Sequence, residues 1–312
     1  MPSDGDRVRL ARRVRRLLRV DPGSVDLGAI DPRSTPGFPS RPGKGRKAWS
    51  RAEVAQIGNL LSAYQERMYA AARAGTSRRR LLLVLQGTDC SGKDGTVRSV
   101  VGALNPLGVQ IKAFGAPTPE ELAHHFLWRI DRAMPPAGYV GVFNRSHYED
   151  VLVARVRSLV PPEVWRPRYD QINSFEAAAV ADGVAVIKVM LHISYEEQGR
   201  RLRARLEDPT KRWKFDPADV DDRDRWDEYQ AAYADAIARC STPAAPWYIV
   251  PADRKWYRNW ATANLLLAHL ADLAVDYPAV ELDLAAELAR LDGAPGKTSE
   301  KRPAGRPQRN AR

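Results

Sequence analysis

Apolar residues along this chain gather in short runs, separated by stretches where they recur every three or four positions. The runs fall at residues 81–86, 109–114, 139–143, 184–191 and 247–250. Short, mainly apolar runs of such lengths predict buried strands, as in a parallel sheet. In the intervals, Ile57, Leu60, Leu61, Tyr64 and Met68 recur at helical spacing, and Leu122, Phe126 and Ile130 share one helical face. Ser50 with Glu53, and Thr118 with Pro119 and Glu121, read as capping boxes that start these two helices. Strands alternating with helices predict an α/β fold, a parallel sheet covered by helices on both sides.

The ends read differently. Residues 1–20 set Val8, Leu10, Val14, Leu17 and Leu18 among arginines, a basic amphipathic segment, and residues 21–48 are rich in Pro, Gly and Ser. The expected organisation is a basic and irregular arm over 1–48, one globular domain over 49–292, and a disordered basic tail over 293–312. The formal net charge of +11 favours polyanionic partners, although much of it lies in the two end segments, where arginine runs are ordinarily just solvated. Two cysteines and no CxxC or HExxH spacing argue against a disulfide scaffold and a structural zinc site. No secretory leader or run of about 18 apolar residues is evident, so a cytoplasmic protein with no membrane partner is expected.

The decisive segment is Gly87-Thr88-Asp89-Cys90-Ser91-Gly92-Lys93-Asp94-Gly95-Thr96, placed between the run at 81–86 and a helix-like stretch at 97–104. Gly87, Gly92 and Lys93 match a P-loop in the strand–loop–helix setting it requires. Glycines let backbone N–H groups wrap an anion, the helix presents its positive end, and Lys93 adds a full charge. Asp94 stands where Ser or Thr usually meets magnesium, and Asp89 is an extra carboxylate inside the cradle. Two acids beside phosphates repel them unless a divalent cation lies between. That assigns Asp89 as the expected ligand of Mg2+, with Mn2+ as an alternative.

The segment 86–97 closely resembles the P-loop of the polyphosphate kinase 2 family. Further blocks follow in the family's order. Phe143-Asn144-Arg145-Ser146-His147-Tyr148-Glu149-Asp150 is similar to its Walker B block, Asp208-Pro209-Thr210-Lys211-Arg212-Trp213-Lys214-Phe215 to its lid, and Trp247-Tyr248-Ile249-Val250-Pro251 to its C-terminal strand block. The resemblance covers roughly residues 50–270. It implies a P-loop kinase-like sheet with a helical lid, over about 196–225. It implies phosphoryl transfer between inorganic polyphosphate and adenine nucleotides (AMP, ADP, ATP), with guanine nucleotides as further acceptors, and association into homo-oligomers. The Asn144 and Glu149 pattern resembles the third class, which phosphorylates both AMP and ADP. Other classes carry Asp in place of Asn144 and Asn in place of Glu149, and His147 replaces a more usual aromatic residue.

Phosphoryl transfer needs charge neutralisation and alignment more than covalent help. Asp89, Lys93, Arg145 and Arg201 are therefore the expected catalytic residues. Gly87, Ser91, Gly92, Asp94, Gly95, Thr96, Asn144, Glu149, Arg205, Lys211 and Arg212 are expected to hold phosphate or nucleotide. Arg201 and Arg205 lie four apart, on one face of a basic helix that reads as a cationic lid. An ATP-dependent kinase of nucleotides or other small metabolites shares the P-loop and lid. A P-loop regulator or nucleic-acid binder is a further alternative, disfavoured because no helix-turn-helix, zinc-finger or RNP-type motif is present.

Overall fold

The computed structural model describes residues 2–40 and 45–292. Six strands form one sheet: β1 (Arg19–Val20), β2 (Arg80–Gln86), β3 (Val109–Ala113), β4 (Val140–Asn144), β5 (Val184–His192) and β6 (Trp247–Pro251). Their order is β1-β6-β5-β2-β4-β3. All neighbours run parallel except β1, which pairs antiparallel with β6. The five apolar runs are thus the five parallel strands, with bounds shifted by one residue at most. β2 lies at the centre, and its Leu81–Leu85 stretch is buried throughout. Each such leucine contributes about 1.5–3 kcal/mol of burial.

Two apolar cores sandwich the sheet. On one face the helices Asp4–Leu18, Arg46–Arg73 and Lys255–Asp272 cover Leu81, Leu83, Leu85, Ile187 and Val189. On the other, Arg168–Ala181 and Trp226–Cys240 cover Leu82, Val84, Val186 and Trp247. The alternation along β2 is the period-two geometry of a strand showing successive side chains to opposite layers.

Three expectations are corrected here. Residues 4–20 are not an irregular arm. Val14 and Leu18 of the helix Asp4–Leu18 are buried in the first core, and Arg19–Val20 extends the sheet. The long helix does not start at Ser50. It starts at Arg46 after Gly45, whose φ of 129° suits a residue without Cβ. Ser50 and Glu53 lie inside it and face inward, Ser50 Oγ donating to the Trp256 carbonyl at 2.8 Å and Glu53 accepting from Arg7 Nε at 2.8 Å. A spacing that resembles a capping box is here a pair of tertiary anchors. Thr118 does cap its helix with Glu121, but that helix stops at Leu122, which is exposed. Only Ile130 of the expected apolar face is fully buried.

Residues up to 278 form one compact unit. A second begins at Ala279 and contains the helix Leu284–Asp292, on which Leu284, Leu288 and Leu291 are exposed. The expected tail at 293–312 lies outside the described residues. No described helix is long and apolar enough to cross a membrane.

Candidate active site

The loop 87–92 leaves the carboxyl end of β2, where ligands collect in open parallel sheets. Its turn requires backbone that L side chains rarely adopt. Gly87 has φ 143°, and a Cβ there would stand 2.7 Å from the Leu191 carbonyl. Gly92 has φ 109°, and a Cβ there would overlap the Arg258 guanidinium at 1.6 Å. The helix Lys93–Val100 follows at once, four residues earlier than its apolar pattern suggested. In the loop, Thr88 Oγ1 and Ser91 Oγ are buried hydroxyls without a protein partner. Such groups are costly unless something accepts from them, and phosphate oxygens fit that need.

Lys93 is buried, and its ammonium donates to the Gly87 carbonyl at 2.6 Å and the Thr88 carbonyl at 3.4 Å. Burial holds its pKa below the usual lysine range, with Asp89 acting in the opposite sense. Arg145 reaches the loop from the end of β4, donating to Asp89 Oδ1 at 2.7 Å. Burial pushes the Asp89 carboxyl up, but Lys93 and Arg145 outweigh it and hold it below the ordinary range. Glu149 is half-buried beside them, and desolvation raises its pKa against the pull of Arg145 and Lys93. Asp89, Lys93, Arg145 and Glu149 therefore form one cluster.

Asp94 is more exposed. Its two oxygens accept from Asn144 Nδ2 at 2.9 Å and Lys214 Nζ at 3.0 Å, and these partners hold its pKa down against burial. Lys214 is a lid residue, so this contact ties the lid to the P-loop helix.

The other expected lid residues divide. Arg205 comes close, pairing with Asp219 at 2.9 Å and donating to the Lys214 carbonyl at 3.1 Å. Arg201 does not face the cluster. It is buried, and its guanidinium donates to the carbonyls of Cys90 (2.9 Å), Ser91 (3.1 Å), Ala252 (2.7 Å) and Asp253 (2.9 Å), and to Glu197 at 2.7 Å. It braces the back of the loop against the end of β6, and its donors are already occupied. Lys211 pairs with Asp208 and Arg212 donates to the Leu206 carbonyl at 2.7 Å, so both cationic heads serve the lid's own turn. Thr96 Oγ1 is likewise engaged, with the Gly92 carbonyl at 3.1 Å, and Gly95 packs against Arg258.

The sequence reading missed three groups. Asp219 faces Asp89 across the lid, and desolvation, with Asp89 next, pushes its pKa up to about 6. Tyr233 Oη accepts from the Gly87 N–H at 3.1 Å. Arg258 donates to the Ser91 carbonyl at 3.2 Å beside Arg201, and burial first, then Arg201, lowers its pKa to about 9. Asp219 sits in a run of aspartates at 216–224 that is indistinguishable in sequence from solvated surface.

Among the described residues no group of three metal-binding side chains converges. Asp89 and Asp219 nevertheless fit Mg2+ in its usual mode, in which one or two carboxylates share the ion with substrate phosphates and water. Their mutual repulsion is what such a cation relieves.

Two cavities flank the loop. One, about 530 Å³, is lined by Gly87, Thr88, Asp89, Arg145, Glu149 and Asp219, with apolar walls from Phe114, Pro117, Leu122, Leu152, Val153 and Val160. The other, about 940 Å³, borders the P-loop helix at Gly95, Arg98 and Ser99. Lys47, Arg51, Arg200, Arg254, Lys255 and Arg258 line it too, against only Glu197 and Asp253.

Comparison with known proteins agrees with this geometry. Residues 46–278 match the family model described as polyphosphate kinase 2. The chain is 44% identical over 264 residues to an AMP/ADP-polyphosphate phosphotransferase of Meiothermus ruber, covering 84% of this chain and 95% of that one. It is 36% identical to an ADP-polyphosphate phosphotransferase of Rhodopseudomonas palustris, covering 83% and 91% of the two chains. The crystal structure of polyphosphate kinase 2 from Arthrobacter aurescens TC1 superposes with a TM-score of 0.86 at 44% identity, covering 91% of this chain and 98% of that one. With its P-loop, its lid and a match running through most of its length, the chain belongs to the polyphosphate kinase 2 family.

Proposed function

We propose that this protein transfers phosphoryl groups between inorganic polyphosphate and the nucleotides AMP and ADP, with Mg2+. The observation that carries the reading is the P-loop between two unlike cavities. The smaller has the size and apolar walls for a nucleoside, and its charged lining mixes both signs, Arg129, Arg145, Arg157 and Arg168 against Asp89, Glu149, Asp150 and Asp219. The larger is a cationic trough, suited to a long polyanion and poorly suited to a base. An ATP-dependent kinase has no need of it. The names borne by the Meiothermus and Rhodopseudomonas relatives support the same substrates.

The residues then act by positioning and neutralisation. Thr88 and Ser91 hydroxyls donate to phosphate oxygens. Lys93 and Arg145 balance the charge of the group in transfer. Arg145, paired with Asp89 at 2.7 Å, is placed to turn its guanidinium to an arriving phosphate. Asp89 and Asp219 would hold magnesium, which would supply positive charge to offset that of the phosphates. Lys214 and Arg205 hold the lid down and exclude water, which otherwise competes as acceptor.

The test supplies polyphosphate as sole donor and measures ADP formed from AMP and ATP formed from ADP, with and without a chelator. Phosphorylation of both acceptors is expected. Activity only with ATP as donor would establish the metabolite-kinase alternative instead.

A further inference from the structure

Behind the site, on the face of β4 away from the P-loop helix, lies a charged cluster that the mechanism above does not use. Glu176, on the helix Arg168–Ala181, and Lys188, on β5, are both buried and form an ion pair. Lys188 Nζ also donates to Tyr148 Oη at 2.9 Å and to the Cys240 carbonyl at 2.6 Å, so its three N–H bonds are all used. Glu176 Oε1 accepts from Tyr148 Oη at 2.9 Å and lies 3.2 Å from His147 Nε2. A carboxylate only accepts, so the imidazole proton sits on Nε2. Buried charge of this kind is a poor source of stability, since apolar packing would serve as well. Its position suggests another use.

His147 and Tyr148 belong to the turn that carries Arg145 and Glu149 into the site. The front of that turn is strained: Arg145 has φ 63°, left-handed backbone in a residue with a side chain. Such backbone persists only where its surroundings over-determine it. The supports are visible. Arg145 N–H donates to the Leu85 carbonyl at 3.0 Å, and Ser146 Oγ accepts from Gln86 Nε2 at 3.1 Å and from the Tyr148 N–H at 3.2 Å. Those contacts anchor the turn to β2. The rear anchor is the two donors that meet Glu176.

We propose that the buried Glu176–Lys188 pair is a positioning device for phosphoryl transfer, fixing through Tyr148 and His147 the turn that aims Arg145 and Glu149 at the phosphates. None of the four touches the smaller cavity, so each acts through the turn and not on substrate. A carboxylate held by a lysine is stiffer than one held by water, and it can orient two donors at once. The cationic trough shares no residue with this cluster. Loosening the turn should therefore spoil turnover and nucleotide use while leaving polyphosphate binding alone.

The inference rests on the phosphotransferase reading, which wild-type activity with polyphosphate tests independently. The variants Tyr148→Phe and Tyr148→Phe/His147→Phe cut the links but leave the ion pair and ring packing intact. Glu176→Gln is the third variant, and Glu176→Asp its conservative counterpart. Turnover is normalised to the folded fraction by circular dichroism, well below the melting temperature. The expected result is a fall in kcat of about tenfold to a hundredfold, the scale of a misplaced contact group, with KM for polyphosphate unchanged and partial recovery in Glu176→Asp relative to Glu176→Gln. Wild-type kcat per folded molecule in Tyr148→Phe/His147→Phe would overturn the proposal. So would a rise in KM for polyphosphate matching the loss of kcat, which marks general loosening. If the double variant does not fold, Tyr148→Phe alone decides by the same two readings.

Discussion

Replacing Lys93 with methionine removes the ammonium and keeps most of the stem. Two effects oppose one another in the folded protein. The Gly87 carbonyl loses its 2.6 Å donor, and a buried acceptor left unpaired costs about 1–3 kcal/mol. Against that, burial already holds the Lys93 pKa below its usual range. The folded state therefore bears a cost for the charge that methionine does not incur. The net change in stability should stay within about 2 kcal/mol, a shift in melting temperature below about 8 °C for a unit of this size. Catalysis has no such offset. A charge aimed at the transferred group is worth about 10²–10³ in rate. Initial rates of ATP formation from ADP and polyphosphate, read with the melting curve, separate the effects. The reasoning is refuted by a folded Lys93→Met protein that turns over within a few-fold of wild type, or by one that loses activity only in proportion to lost fold.

Asp89→Asn should lose activity with a weakened response to magnesium, measured by titrating Mg2+ at fixed nucleotide; unchanged activity and metal dependence would leave Asp89 as only the partner of Arg145. Arg201→Lys, which cannot reach four carbonyls at once, should lower the melting temperature by several degrees, with any activity loss following the folded fraction; a large fall in kcat at full folding would return Arg201 to the catalytic set. For Asp219 the folded pKa of about 6 exceeds the ordinary 3.8, so between those values the folded state keeps a proton that the unfolded chain has lost. Stability contributed by this group therefore falls as pH rises through that window, and the melting temperature of Asp219→Asn should gain on wild type between pH 5 and 7.5. Glu149→Asn should lose AMP phosphorylation more than ADP phosphorylation, compared by kcat/KM for each acceptor; equal losses would remove Glu149 from acceptor choice.

What was readable in the sequence follows from where the constraints are local. The inner strands β2, β4, β5 and β6 are buried almost throughout, so their runs are dominated by apolar residues, whereas the edge strand β3 is largely exposed and alternates Val109 and Ile111 with Gln110 and Lys112. The P-loop is legible because Gly87 and Gly92 meet a local steric demand and Lys93 a local electrostatic one. Failures came where one residue type serves two physical ends. Ser50 and Glu53 have the spacing of a cap, but Arg7 arrives from 46 positions upstream and turns Glu53 inward. Arg201 and Arg205 share a helix face, yet the carbonyls that claim Arg201 come from the P-loop and from the end of β6, which no spacing along the lid reveals. Asp219 is indistinguishable by composition from its acidic neighbours until the lid folds over Asp89.

The unusual pair at positions 94 and 144 shows how departures in sequence compensate one another. A Ser or Thr at 94 would present a neutral hydroxyl to the metal; Asp94 presents a charge. A carboxylate at 144 would then face it at the 2.9 Å now spanned by a hydrogen bond, and two anions at that distance repel. Asn144 removes the conflict by donating. Its amide takes one oxygen of Asp94, and Lys214 takes the other. The end of β4, the start of the P-loop helix and the lid are thereby joined through one carboxylate. The amide at 144 is better understood as the partner that Asp94 demands than as a weakened metal ligand, and the lid's contact through Lys214 depends on the same arrangement.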